Sequence, residues 1–180
     1  IPGLYTGREF GIIETRGLTR VVDAIGLLNN SKTWTKADET AMRNWFGSYL
    51  NWLLTSKLGM AEGRTKNNHG VHYDAQVVSF ALFSGRDDLA KKQLETVTKK
   101  RIVEQIMADG KMPEELARTK SWNYSTMNLD GFITLAELGR TAGVDLWNFS
   151  GKDGRGIRRA LEFLYPFMNA SNEWKYQQIG

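Results

Sequence analysis

The most informative segment of the sequence is KNNHGVHYDAQVVSFALF, residues 66–83. Its second half, from Ala75 to Phe83, is apolar on nearly all sides, which is typical of a helix buried inside a protein. Its first half gathers two amides, two imidazoles, a phenol and a carboxylate. Because polar groups at the start of a buried helix are costly unless they are paired, we expect this segment to form a site.

The segments on either side are also predicted to be helical, since none of them alternates polar and apolar residues as a strand does. Capping residues, apolar stripes and terminal glycines mark the helix ends. Six helices are predicted. The first is capped by Thr15 and reaches Leu28, the second is opened by a capping box of Thr35 and Asp38 and ended by Gly59 and Gly63, and the third is the buried helix from about Val71 to Ser84. The fourth runs from Asp87 to Gly110, the fifth is capped by Ser121 or Asn123 and closed by Gly143, and the sixth runs from Ile157 to Pro166. The fold class is therefore expected to be all-α, built from helical hairpins.

Several smaller features lead to further expectations. The aromatic residues of the second helix are expected in the core, the basic runs on solvated faces, and the aromatic tail docked on the helices. Pro113 is expected to limit helix entry in the loop before residue 121. The residues concerned are Trp45, Phe46 and Trp52 for the core, Lys99-Lys100-Arg101, Arg155 and Arg158-Arg159 for the solvated faces, and Asn172 to Gln178 for the tail.

Composition limits the classes of protein to consider. The chain has 180 residues, of which 41% are hydrophobic and 24% charged, which suits one globular domain over residues 1–180. No apolar run is long enough to span a membrane. The absence of cysteine excludes disulfides and thiolate metal sites. The net charge of +4 comes from dispersed basic residues, so we expect an anionic partner but no nucleic acid.

A second polar and aromatic stretch, RTKSWNY at residues 118–124, precedes a long predicted helix in the same way. Arg118 offers a planar fork suited to a carboxylate, Trp122 a flat face for a sugar ring, and Tyr124 a phenol that can exchange a proton. In the first stretch, Asn68 offers amide donors, and the helix N-terminus attracts anions and favours a neutral His69. We expect the two stretches to face each other across one site.

These groups suit the removal of a proton next to a carboxylate. Cationic and hydrogen-bonding groups stabilise the charge that develops on the carboxylate, while one group takes the proton and another protonates the departing oxygen. For a uronic acid linked through O4, the outcome is β-elimination of the glycosidic bond. This reaction needs neither a metal nor another cofactor.

The order of three sequence segments resembles the alginate lyase superfamily, whose helical-barrel members include poly-mannuronate lyases and the related glucuronan lyases. The segments are Asn67-Asn68-His69 followed by Arg118 and Asn123-Tyr124, the opening GREFGIIETR at residues 7–16, and the closing WKYQQI at residues 174–179. The resemblance covers almost the whole chain. It implies an (α/α) toroid, or an incomplete α/α barrel in which residues 1–180 form the C-terminal part of a larger toroid.

The resemblance also implies a substrate and roles for individual residues. The substrate would be an acidic polysaccharide, alginate or glucuronan, met in the periplasm or outside the cell. Asn68 and Arg118 would neutralise its carboxylate, with His69 and Tyr124 as acid and base. Gly70-Val71-His72 replaces the Ser-Tyr-Trp of the mannuronate lyases, and the spacing from Arg118 to Tyr124 is one residue shorter, so the uronate is left open. The expected substrate-binding residues are Asn67, His72, Tyr73, Trp122, Asn123, Arg8, Arg16 and Tyr176.

Other interpretations of the same residues are structural. Asn67 and Asn68 also suit simple helix caps. His69 and His72 form an i, i+3 pair that could bind a metal, although no third ligand at metal spacing is evident.

Two other functions are compatible with the sequence. Glu114-Glu115 and Asp87-Asp88 would suit an α/α-barrel glycoside hydrolase, which needs two separated carboxyl groups, although such acids more often are solvated or cap a helix. A non-catalytic helical module that binds acidic polysaccharide is the alternative from a different class.

Overall fold

The computed structural model describes residues 7–168 and 173–180, and within these ranges the chain is helical apart from turns and one isolated β-bridge between Lys120 and Gln178. The all-α class predicted from the sequence is confirmed. A 3₁₀ segment, Glu9–Gly17, precedes the first helix, and a π-helical segment, Gln93–Thr98, joins the fifth and sixth. The α-helices are α1 Leu18–Gly26, α2 Lys36–Thr55, α3 Lys57–Gly63, α4 Asn68–Phe83, α5 Asp87–Lys92, α6 Lys99–Gln105, α7 Pro113–Leu116, α8 Ser121–Ala142 and α9 Ile157–Met168.

Helix α4 is the centre of the fold, as its apolar sequence predicts. All but two of its residues are buried, and it packs against α8, α2, α1, α3 and the 3₁₀ segment. Phe80 of α4 meets Phe46 of α2 with their ring centroids 5.0 Å apart, and both side chains are fully buried. Helix α4 begins three residues earlier than expected because the side chain of Asn67 caps it.

Three predicted helix ends need correction. Thr15 is no helix cap: it lies in the 3₁₀ segment, where its hydroxyl contacts Ile12, Tyr49 and Gln76. The second helix ends at Thr55, because Ser56 is extended and caps a separate α3. The segment predicted as one helix from residue 87 to 110 is broken by the π-helical turn and ends at residue 105.

Other helix ends follow the sequence more closely. Thr35 and Asp38 form the predicted capping box, and Gly143 closes α8 with a φ of 73°. Lys120, rather than Ser121 or Asn123, is the cap of α8. Pro113 does not prevent a helix but opens the short α7, since the first helical position needs no N–H donor. Pro166 lies inside the last turns of α9, which continues to residue 168.

The aromatic tail docks against α8, as predicted. The backbone oxygen of Gln177 accepts hydrogen bonds from the backbone and the hydroxyl of Ser121, and the indole N–H of Trp174 donates to the same hydroxyl. The first residue of the predicted tail, Asn172, lies outside the described residues.

The distribution of side chains between core and surface differs from expectation at three places. Phe46 is buried, but Trp45 and Trp52 on the same helix are 50% and 40% exposed. Arg101, expected on a solvated face, is buried instead. Over residues 7–168 and 173–180, no helix combines the length and apolarity needed to cross a membrane.

Candidate functional site

The N-terminus of α4 is held by two side chains. The side chain of Asn67 accepts a hydrogen bond from the backbone N–H of His69, at 3.2 Å. The backbone N–H and the side-chain amide of Asn68 donate to the two carboxylate oxygens of Glu115, at 2.6 and 2.8 Å. The helix N-terminus therefore binds a carboxylate, as its dipole favours, but this carboxylate belongs to the protein. The contact predicted between Asn68 and a substrate stays a prediction, since its side chain is fully buried here.

Of the two acids expected to be solvated or to cap a helix, Glu114 is exposed, whereas Glu115 is buried and binds the N-terminus of α4. Burial raises the pKa of Glu115, while the hydrogen bonds from Asn68 and the positive charge of the nearby Arg118 oppose that rise. The same carboxylate therefore lies near one residue of each predicted stretch. Helix α7 positions it, because Pro113 fixes the helix start two residues earlier.

His69, on the first turn of α4, is half-buried between two side chains that the sequence did not point to. Its Nδ1 lies 2.8 Å from Oε1 of Glu62, the penultimate residue of α3. The ring of Phe10 packs edge-on against the imidazole, with centroids 5.8 Å apart. These two contacts fix the orientation of the imidazole ring.

Arg118 and Tyr124 lie together where α7 leads into α8. The guanidinium carbon of Arg118 is 3.7 Å from the centroid of the Tyr124 ring, a close cation–π contact. The backbone N–H of Arg118 donates to the carbonyl of Glu115, which turns the chain from α7 towards α8. A cation and a phenol therefore share one surface, with Glu115 connecting it to the start of α4.

The turn before α4 is fixed by a buried ion pair between Arg101 and Asp74. The guanidinium bonds both Asp74 oxygens, at 2.8 and 3.2 Å, and the carbonyls of Gly63 and Thr65, at 2.9 and 2.6 Å. Burial raises the pKa of Asp74, against the opposing effect of Arg101. Gly70 lies under this guanidinium, where a Cβ would collide with it and with the Thr65 carbonyl, so the position requires glycine.

His72 and Arg16 line a polar cavity of about 390 Å³ beside the 3₁₀ segment. Nε2 of His72 donates to the carbonyl of Met127, at 3.1 Å, because a carbonyl can only accept. Burial lowers the pKa of this imidazole. His69 and His72 thus bind different partners, and among the described residues no three His, Cys, Asp or Glu side chains are placed to hold a metal ion.

Tyr73, predicted to bind substrate, is packed inside the protein, and its role in substrate binding stays a prediction. Its side chain is buried, and its hydroxyl donates to the carbonyl of Leu53 at 2.9 Å. Burial raises the pKa of Tyr73 to about 12. Because the phenol is packed between helices with its hydrogen bond satisfied, Tyr73 belongs to the core.

The remaining predicted substrate residues are distributed around the molecule. Trp122 and Tyr176 both pack on Trp174, so each has a structural role in docking the tail. The side-chain oxygen of Asn123 accepts a hydrogen bond from Gln178 of the same tail. Arg8 lines a separate cavity of about 490 Å³ with Trp52. Any role of these four residues in substrate binding stays a prediction.

The sequence did not assign Glu62, Glu115 or Phe10 to the surroundings of Asn68 and His69. Glu62 and His69 are seven residues apart with a helix break between them, and no periodic pattern connects them. Glu115 and Asn68 are 47 residues apart. The one available signal was Pro113, which marks a helix start and so places Glu115 within its first turn.

The described residues form an all-helical domain with an imidazole at the start of its buried helix, and Glu115 links that start to the guanidinium and phenol of Arg118 and Tyr124. The comparisons with known proteins agree with the predicted (α/α) toroid. The family model described as alginate lyase matches residues 1–174, and the chain belongs to that family. A crystal structure of an alginate lyase from Bacteroides ovatus superimposes with a TM-score of 0.92 at 40% sequence identity. The match covers 97% of this chain and 46% of that one, so this chain spans about half the length of that lyase. No curated protein gives a significant match.

Proposed function

We propose that the protein cleaves a uronic-acid polysaccharide, either alginate rich in mannuronate or glucuronan, by β-elimination. Family membership and the B. ovatus alginate lyase support this class of reaction. The proposal depends chiefly on the stacking of Arg118 on the ring of Tyr124. Glu115 lies beside this pair and binds Asn68, the neighbour of His69 in sequence. One small region thus offers a cation for the substrate carboxylate and two groups that exchange protons.

Arg118 binds the uronate carboxylate in this proposal. Its guanidinium is half-buried, and a planar fork can form two parallel hydrogen bonds with a carboxylate. Charge that moves from C5 onto the carboxylate as the proton leaves is then stabilised where it develops. Asn68 donates two hydrogen bonds to Glu115, and these bonds tie the start of α4 to the segment that carries Arg118.

His69 and Tyr124 carry the two proton transfers. One group removes the proton from C5, the released electron pair forms the C4–C5 double bond, and the bond from C4 to the glycosidic oxygen breaks. The departing oxygen then receives a proton, so no water is consumed. Arg16 and His72 line the polar cavity next to α4, and in this proposal they bind a neighbouring sugar.

The buried carboxyl groups do not favour a glycoside hydrolase. Of the acids considered for a hydrolase, Glu115 is fully buried and bound to Asn68, while Glu114 and Asp87-Asp88 are exposed in the first turns of α7 and α5. A hydrolase needs two carboxyl groups that reach the glycosidic bond.

A panel of polymannuronate, polyguluronate, glucuronan and hyaluronan, followed by ultraviolet absorbance, tests the proposal. Elimination leaves a double bond conjugated with the carboxylate, and its absorbance should rise with at least one of these polymers. Binding of a polymer without any such rise would instead favour a non-catalytic module.

A further inference from the structure

Glu62 is a fully buried carboxylate at the C-terminal end of α3. Its Oε1 is bonded to Nδ1 of His69 at 2.8 Å, and its Oε2 is buried without a hydrogen-bond partner. A buried carboxylate with an unsatisfied oxygen is unfavourable, and such groups in native structures call for an explanation.

Local stability does not explain this carboxylate. The C-terminal end of a helix carries partial negative charge, so an acidic side chain there is disfavoured. The turn after α3 is already fixed by other contacts, because Arg101 binds the carbonyls of Gly63 and Thr65. What the side chain of Glu62 adds is its bond to the imidazole.

That bond determines which nitrogen of His69 carries the proton. A carboxylate can only accept, so Nδ1 of the neutral imidazole is the donor and Nε2 keeps its lone pair. His72, three residues later, is held in the opposite state, because its Nε2 donates to the carbonyl of Met127. The two imidazoles of the chain therefore differ in tautomer.

We propose that Glu62 is a positioning residue for catalysis, which holds His69 in the Nδ1–H tautomer with Nε2 free to exchange a proton with the substrate. This inference rests on the proposed function, in which His69 exchanges one of the two protons. Glu62 is buried behind the imidazole and does not reach the substrate itself. A carboxylate that orients a catalytic imidazole in this way acts on the turnover step rather than on binding.

The tautomer is measured directly by nitrogen-15 NMR of the imidazole rings. The chain has two histidines, so the spectrum contains two rings, and His72→Gln assigns them. At a pH of about 8, where most histidines are neutral, the wild-type protein should show the proton of His69 on Nδ1 and that of His72 on Nε2. A wild-type His69 protonated on Nε2 would overturn the inference without any need for a variant.

The matched variants are Glu62→Leu, which keeps most of the volume but cannot accept a hydrogen bond, and Glu62→Gln, whose amide carbonyl can. In Glu62→Leu, His69 should lose its fixed tautomer while the His72 signals stay unchanged. Its kcat should fall about ten- to a hundredfold with KM within about twofold, and Glu62→Gln should recover part of the loss. Circular dichroism checks that both variants are folded. If Glu62→Leu does not fold, the nitrogen-15 NMR spectrum of the wild-type protein still shows which nitrogen of His69 carries the proton.

Two kinetic results would also contradict the inference: a folded Glu62→Leu protein with wild-type kcat, or one in which KM alone rises. Absence of turnover in the wild-type protein on every polyuronate, with His69 still protonated on Nδ1, would instead contradict the proposed function. The two failures are therefore distinguishable.

Discussion

The guanidinium carbon of Arg118 lies 3.7 Å from the centre of the Tyr124 ring. This contact places the cation that is proposed to bind the uronate and the phenol that is proposed to exchange a proton on one surface. The cation–π attraction favours this arrangement of the two side chains. The two residues can nevertheless be separated experimentally, since they are proposed to do different things.

Tyr124→Phe keeps the ring under Arg118 but removes the hydroxyl. We expect kcat to fall by about two to four orders of magnitude, the usual effect of losing a positioned proton-transfer group, with little change in substrate affinity. Steady-state kinetics on the preferred polymer measures both. The matched control is Tyr165→Phe, at an exposed tyrosine of α9 that is 61% accessible, and it should leave turnover unchanged. A Tyr124→Phe protein as active as that control would show that another group moves the proton.

Arg118→Ala should behave differently, because it removes a charge-assisted contact that is present before and during the reaction. We expect KM to rise and kcat to fall together, with kcat/KM lower by about ten- to a hundredfold. Arg118→Lys should not restore activity fully, since an ammonium group lacks the two-pronged geometry. Full activity in the lysine variant would contradict a bidentate role.

Removal of Arg101 should destabilise the protein, since Asp74 would remain buried without its charged partner. We expect Arg101→Ala to reduce the free energy of unfolding by about 3–5 kcal/mol, measured by denaturant titration. The adjacent Lys100→Ala is the matched control, because Lys100 is exposed and its 3.6 Å pair with Glu104 is solvated. Equal stability of the two variants would show that the buried pair does not hold the turn before α4.

His72 should make stability depend on pH. Burial lowers its pKa in the folded protein below the ordinary value of 6.5, so the unfolded chain binds the proton more readily. The stability it contributes is therefore present above about pH 6.5 and is lost as pH falls through the folded pKa. We expect the wild-type free energy of unfolding to decrease more steeply than that of His72→Gln between about pH 7.5 and 5. Parallel curves for the two proteins would contradict the shift.

The sequence predicted the central helix and its polar start well, because both depend on local patterns. The all-round apolarity of residues 75–83 requires burial, and an asparagine before a helix is a common cap, as Asn67 proves to be. Trp45 and Trp52 were misjudged because α2 carries more large apolar residues than its packing buries, and composition alone does not rank them.

The site was less predictable, because its supporting groups come from tertiary packing. Glu62, Arg101 and Glu115 are charged residues that usually lie at the surface, and a single sequence gives no sign that partners seven to 47 residues away allow their burial. Tyr73 stands among the predicted site residues in sequence, yet its side chain is packed in the core, where its hydroxyl bonds to the carbonyl of Leu53, 20 residues away.

β-Elimination can be distinguished from hydrolysis by the masses of the products formed from a defined uronate oligosaccharide in water labelled with heavy oxygen. β-Elimination adds no water, so the two product masses should sum to that of the substrate, with no label incorporated and an unsaturated sugar at one new end. The same products should nearly disappear with Tyr124→Phe. Products that carry the heavy oxygen, and whose masses sum to the substrate plus one water, would show hydrolysis and contradict the account.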